Sequence, residues 1–432
     1  MKTSTRLVAT LVAGVFAFVP ASSARAAGCA GDLDDDGAVG GADLTMLLSS
    51  WGLRGAADLD GSGVVEGSDL TILLAAWGLC PSEITALVPS GGPLAGGTAI
   101  TISGRNLGGV ESVLIGGVPA TSVVAVSATT VTAVTPPSKS PGAKDVTVAG
   151  ASGTATLAGG FTYVGGSLPW ATVLEVVVDP AVVTDPALRE AILATGLPWR
   201  VRDDASQIEM LLVPPGTYLM GCSPSWLHNC FIAEFINHDV TLTQPFYLGR
   251  HEVTQAQWTA VMGSNPSFFV GMPDSPQRPV EQVSWNMIQG FEAVTGLRLP
   301  TEAEWEHACR AGTTTAFNNG SDDDATLPSI AWIDSNSGGQ TRPVGQRPAN
   351  RLGLHDMHGN AVEWVEDWYD VSYYFTSPSV DPPGPETGFW KVLRGGDFAG
   401  DSFYARSSMR VIWDPSSAVG VIGIGFRAAR TP

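Results

Sequence analysis

The sequence predicts a multidomain protein: a small all-α repeat, then an all-β sandwich, then a large domain filling the C-terminal half. Three observations carry this. The chain has 432 residues, room for about three domains. A short segment near the N-terminus is written twice. From Ile84 to Val164 the composition turns to Val, Thr, Ile, Gly and Ala, with turn signals every eight to twelve residues, as a sandwich requires.

The chain opens like an export signal over residues 1–26. Lys2 and Arg6 make a basic start, Leu7 to Val19 an apolar run, and Ala24-Arg25-Ala26 a small-residue cleavage site. The run is too short for a spanning helix and no later stretch is long enough, so the expectation is a secreted, extracellular or cell-surface protein with no transmembrane helix. The signal holds three basic residues and no acid, so its removal takes the net charge from −19 to −22. Such a balance repels nucleic acid and suits cation binding. Of five cysteines, Cys29 and Cys80 bracket the repeat and Cys222 and Cys230 share a loop, so these pairs are expected as disulfides. Cys309 is left over, on an apolar helix face.

In the repeat, Asp32 matches Asp58, Asp43 matches Asp69 and Trp51 matches Trp77, with one 26-residue offset. Both copies fit the EF-hand pattern of oxygen ligands around a sharp glycine turn. Asp32, Asp34, Asp36 and Asp43, with the Ala38 carbonyl, form one candidate calcium set. Asp58, Asp60, Ser62 and Asp69, with the Val64 carbonyl, form the other. Aspartate replaces the usual bidentate glutamate at position 12, which shortens reach. Each loop leads into Leu-Thr-x-Leu-Leu-x-x-Trp-Gly, a two-turn apolar helix ended by glycine. Residues 29–80 thus resemble a type I dockerin, which implies a cohesin-type scaffold protein as partner, in a setting of extracellular polysaccharide degradation.

The sandwich opens on Pro89-Ser-Gly-Gly-Pro-Leu-Ala-Gly-Gly-Thr98 and Ile100-Thr-Ile-Ser-Gly104, and closes on Gly160-Phe-Thr-Tyr163. Residues 81–164 resemble an IPT/TIG immunoglobulin-like domain, whose role would be spacing or protein contact. Residues 165–205 read as a linker holding one short helix, Ala187 to Thr195, between Asp185-Pro186 and Gly196.

The region 206–430 carries a string of marks: Leu212-Val-Pro-Pro-Gly-Thr-Tyr-Leu-Met-Gly221, His251-Glu-Val-Thr254, Pro279-Val-Glu-Gln-Val-Ser-Trp285, Arg298-Leu-Pro-Thr-Glu-Ala-Glu-Trp305, Gly359-Asn-Ala-Val-Glu-Trp364, Arg394-Gly-Gly396 and Gly425-Phe-Arg427. Thr254 with Gln257, and Thr301 with Glu304, are set as capping boxes. In this order the marks resemble the formylglycine-generating enzyme (sulfatase-modifying factor) family, which implies an α+β variant of the C-type lectin fold. It also implies a copper-binding cysteine pair after Arg-Gly-Gly. Here those positions are Gly400 and Ala405, the usual serine is Asp397, and a tryptophan of the preceding motif is Val362. Copper is therefore not expected, since a soft Cu(I) ion needs sulfur donors. A family calcium site does carry over, to the side chains of Asp356 and Glu363 and the carbonyls of Gly359 and Ala361. A second family calcium site has Asn336 as its candidate.

His355 and His358 lie on this turn without HExxH or facial-triad context, so iron or zinc is not expected there. No Gly-rich phosphate loop, nucleophile elbow or paired-carboxylate signature stands out. The functional expectation is a calcium-binding, non-catalytic module for a glycan or peptide ligand. The alternative is a formylglycine-generating oxidoreductase, or a related non-haem metal oxidase, acting on exported sulfatases.

Overall fold

A computed structural model describes residues 29–165, 168–224, 230–417 and 422–432. The expected export signal lies outside the described residues.

The N-terminal unit contains two loop–helix turns, with helices Gly41–Ser49 and Gly67–Ala75. Each begins where an aspartate one turn in reaches back: Asp43 accepts the Gly40 amide and Asp69 the Glu66 amide, both at 2.7 Å. The unit was expected to be all-α; in addition, Ala38–Val39 pairs antiparallel with Gly78–Leu79. Its core is thin, with Leu33, Val39, Leu47, Val65 and Leu73 packing around the Cys29–Cys80 disulfide. So small a core benefits from a covalent staple.

The sandwich has two sheets. One orders Glu83–Val88, Ala99–Arg105, Thr130–Val134 and Thr121–Ser127 as neighbours; the other runs from Gly91–Pro93 through Gly153–Val164, Gly142–Gly150 and Val110–Ile115 to Val118–Pro119. Period-two alternation decides the faces: Ile100 and Ile102 are buried and Thr101 is exposed. Phe161 and Tyr163 complete the core.

Residues 165–205 correct the sequence reading. The helix is present, at Pro186–Ala194, with the Asp185 carboxylate capping the Ala187 amide at 2.9 Å. The rest is not a linker. Ala171–Glu175 and Arg200–Asp203 pair with each other, and the second continues onto Glu209–Val213, then Phe246–Gly249 and Ala429–Arg430, in one five-stranded antiparallel sheet. The cause is burial: Val201 and Trp199 are core residues, while Arg200 pairs outward with Glu175 at 2.6 Å and Glu209 at 2.8 Å.

The remaining C-terminal elements are few and short. A four-stranded sheet orders Val411–Trp413, Lys391–Arg394, Val362–Trp368 and Ile424–Phe426. A hairpin joins Gly216–Met220 to His238–Leu242. Helices Gln255–Met262 and Glu302–Arg310 start at the expected capping boxes of Thr254 and Thr301. Trp258, Phe291, Trp305, Trp364 and Phe426 fill the shared core.

Candidate functional site

The strand Lys391–Arg394 ends in an arginine with no exposed surface. Arg394 donates to the carbonyls of Ser407, Ser408 and Met409 and to Glu306, so it pins the returning segment 398–410 beneath the sheet. Two glycines follow at positive φ, Gly395 (97°) and Gly396 (72°). A Cβ on Gly396 would stand 2.9 Å from the Ala405 Cα, so the turn lies directly on the segment it opens. Arg-Gly-Gly is thus a mechanical device that brings positions 400 and 405 into one corner.

What occupies the corner is not a metal site for copper. Gly400 offers no side chain. Ala405 is wholly buried among Ala316, Phe317, Leu327, Ala331 and Ile333. The other cysteines do not substitute. Cys222 and Cys230 form a disulfide as expected, with Cys230 Sγ accepting from Arg406 at 3.1 Å. Cys309 is buried in the helix Glu302–Arg310, and burial pushes its thiol up to about 12. One buried sulfur on another element does not supply the pair of sulfur donors that the family's Cu(I) site uses. The residues present do not fit copper.

The two histidines of this turn have hydrogen-bond partners of their own. His358 donates from Nδ1 to the Ala405 carbonyl at 2.6 Å and accepts the Asn318 amide on Nε2 at 3.0 Å. His355 meets the Arg347 carbonyl through Nδ1 and stacks on His251.

The turn 356–363 gathers buried charge. Glu363 is bound by Arg427 at 2.9 Å and by the Trp305 indole N–H at 2.7 Å. Asp356 has φ +54°, and its Oδ2 accepts the Gly345 amide at 2.6 Å. The sequence reading missed a third acid, Glu252, whose Oε1 accepts the Ala361 amide at 3.2 Å; the His251-Glu-Val-Thr mark contained it without saying where it points. Asp356 Oδ1 and Glu252 Oε2 are buried without hydrogen-bond partners. Burial, against the Gly345 hydrogen bond, lifts Asp356 to about 6, and burial with the Asp356 and Glu363 charges lifts Glu252. Each orphaned oxygen is a hard donor, but among the described residues three acids do not converge here as they do in the repeat loops. The open oxygens belong to Asp356 and Glu252, whereas Glu363 is committed to Arg427. Asn336 is not available. Its amide oxygen caps Ile333 N, and its amide nitrogen donates to the Pro328 and Ala331 carbonyls, all at 2.9 Å.

The duplicated loops bring their acids together. Asp32, Asp34 and Asp36 place one oxygen each within 4.8 Å of one another, as do Asp58, Asp60 and Asp69. Asp58 Oδ1 is buried with no partner. Asp43 and its counterpart Asp69 also do backbone work: one carboxylate accepts the Leu33, Asp34 and Gly40 amides and the other the Leu59, Asp60 and Glu66 amides. These sets fit calcium, which would neutralise the clustered charge and tie each loop to its helix.

Residues 199–432 match the family described as the sulfatase-modifying factor enzyme 1-like domain, just over half of the chain. The chain belongs to that family. Residues 81–163 match the IPT/TIG domain. A formylglycine-generating enzyme of Streptomyces coelicolor is 37% identical over 170 residues, 36% of this chain and 53% of that enzyme. A Paenibacillus barcinonensis protein named chaperone protein LppX is 31% identical over 225 residues, 38% of this chain and 72% of the relative. Among solved structures, the Treponema denticola variable protein 1 shares 31% identity over 52% of this chain and 95% of its own, with a TM-score of 0.47. The chain spans about half the length of the Streptomyces enzyme it matches.

Proposed function

We propose that this family member is an exported binding protein rather than an oxidase. Its C-terminal domain would recognise a glycan or peptide, and its N-terminal repeat would be a calcium-bound tether. The observation that carries the reading is the pair Gly400 and Ala405: the Arg-Gly-Gly device still delivers both positions to one corner, and neither bears a sulfur donor. The repeat supports its half through the two aspartate clusters. It also exposes matched apolar residues, Leu48 and Trp51 in one copy and Leu74 and Trp77 in the other. Duplicated apolar exposure on a small unit suits a protein partner such as a cohesin-type scaffold.

Two measurements on the mature chain test this. Competition against a Cu(I) chelator, with turnover of a Cys-x-Pro-x-Arg peptide under oxygen, should give neither tight copper nor an aldehyde product. Glycan and peptide arrays should give saturable binding. Copper-dependent turnover would end the proposal. For the tether, capture by immobilised cohesins should require calcium, and capture that persists in chelator would remove that part.

A further inference from the structure

The ion pairing of the C-terminal domain leaves one loop out. Among the described residues, every arginine from Arg250 to the C-terminus pairs with an acid except Arg342, Arg347 and Arg351. All three lie on the loop between Ser337 and Val362. In a chain with 42 acids against 23 lysines and arginines, unanswered cations gathered on one loop are the exception.

Two of the three are fixed on one indole. The Arg347 Cζ lies 3.7 Å from the Trp332 ring centroid and the Arg342 Cζ 5.4 Å. Asn360, wholly buried, sets the frame. Its side chain accepts the Arg342 amide at 2.8 Å and donates to the Arg342 carbonyl at 3.2 Å, and its backbone amide donates to the Trp332 carbonyl at 2.8 Å. The donors themselves are open. Arg347 Nε is buried without an acceptor, and so is the Trp332 indole nitrogen. Arg342 commits its Nε to the Ser337 carbonyl at 2.8 Å, which leaves its terminal nitrogens. Nearby acids do not answer the charge. Asp274 is within electrostatic reach of Arg342, but Arg278 holds both its oxygens, at 2.9 and 3.0 Å. Asp356 feels Arg347, but it is buried and forms no ion pair with it.

We propose that Arg347 and Arg342, stacked on Trp332 and extended by the exposed Arg351, bind the acidic groups of a polysaccharide, carboxylates or sulfate esters. The inference rests on the binding-module reading and names its ligand class. A guanidinium held flat on an aromatic ring has little freedom left to lose, and it offers paired N–H donors to two oxygens of one anion. The atoms left open on the guanidinium and the indole are donors. They suit a glycan carrying acid, ring and bridging oxygens, whereas an acidic peptide would add a further amide N–H with every residue. The chain's own charge of −19 opposes any polyanion at long range, so affinity has to come from these contacts and not from the overall field.

The test measures binding of the full mature chain to polygalacturonate, carboxyl-reduced polygalacturonate, dextran sulfate, dextran and poly-glutamate by biolayer interferometry. One acidic polysaccharide or both should bind at least about tenfold more tightly than the uncharged counterpart and than poly-glutamate, and which of them does so identifies the anion. Arg342→Gln and Arg347→Gln together should abolish the preference at unchanged melting temperature. Arg347→Lys keeps the charge without the flat paired donors; it should weaken binding by about fivefold, and it serves if the double variant does not fold. Arg105→Gln, in the sandwich, should change nothing. Equal affinity for charged and uncharged polysaccharides, binding of poly-glutamate as tight as that of the acidic glycans, or a preference untouched by the Arg347 variants overturns the inference. Binding of the uncharged polysaccharides alone would overturn it and leave the binding-module reading standing, whereas copper-dependent turnover would remove both.

Discussion

Gly400 and Ala405 differ from the family pattern by two side chains, yet the backbone device around them is intact. Gly400 lies outside positive φ, and a Cβ there would stand 3.3 Å from Asp397 Oδ1, so that carboxylate must give by a few tenths of an ångström; Ala405 is packed on all sides. Restoring sulfur with Gly400→Cys and Ala405→Cys together should therefore confer Cu(I) binding that the native chain lacks. The expected stability cost is about 1–3 kcal/mol, for forcing a larger atom into the Ala405 cluster. Chelator competition measures the first and thermal unfolding the second; a double variant with no gain in copper affinity would show that the corner has changed shape. Glu292 gives a separate residue-scale expectation. Burial holds its carboxyl up near 7, although its Oε1 accepts the Leu299 amide at 2.8 Å. A folded value above the unfolded one means that its stabilising contribution is complete below about pH 4.5 and disappears as pH rises through 7. Glu292→Gln keeps the acceptor and removes the ionisation. It should raise stability at pH 8 by about 1–2 kcal/mol, allowing for partial exposure, and change little at pH 4. Melting curves at both values decide it.

Within the repeat, the two kinds of aspartate do separable work. Asp34 contributes to the acid cluster and makes only one exposed loop hydrogen bond, to Asp36 N. Asp43 holds three loop amides and starts the helix. Asp34→Ala should weaken calcium binding and leave the chelated protein nearly unchanged. Asp43→Ala should destabilise the unit by about 1–2 kcal/mol with or without calcium, the cost of a lost helix cap. Calorimetric calcium titration beside unfolding in chelator separates them, and equal behaviour of the two variants would refute the assignment. The loops, caps and disulfides were legible in the sequence because each is a local pattern: a ligand spacing, a Thr-x-x-Gln box, two cysteines around one unit. Asp43's hold on the Leu33 amide, ten residues back, was not legible, because the same aspartate serves a metal or a backbone equally well on paper. Glu252 was invisible as a site residue for a related reason. It lies inside a family mark, and only the tertiary fold reveals that one of its oxygens is left without a partner.

For the molecule as a whole, the C-terminal domain is held by buried ion pairs between distant segments. Arg394 and Arg310 share Glu306, Arg410 meets Glu302, Arg406 meets Glu234 and Arg427 meets Glu363. They join the early hairpin region, the helix Glu302–Arg310 and the last forty residues, so the domain has no half that can be satisfied alone; removing one partner of such a pair typically costs about 3–5 kcal/mol. The domain's beginning follows the same logic. Sequence alone set it at residue 206, because Ala171–Glu175 and Arg200–Asp203 are too short to announce themselves beside the polar stretch around Asp203-Asp-Ala-Ser206. In the fold these strands form one edge of the five-stranded sheet, and Trp199 and Val201 lie in the main core. A chain beginning at 206 would expose the edge of Glu209–Val213 and empty the volume of a buried tryptophan, a loss of about 3–5 kcal/mol from that side chain alone. An exposed long edge also invites association. A chain beginning at 168 keeps both strands and the helix Pro186–Ala194. The 168–432 fragment should therefore express as a monomer that unfolds cooperatively, and the 206–432 fragment should aggregate. Size-exclusion chromatography and calorimetry of the two distinguish the outcomes, and a stable, monomeric 206–432 fragment would show that the strands from 171 to 203 are an appendage to the domain rather than part of it.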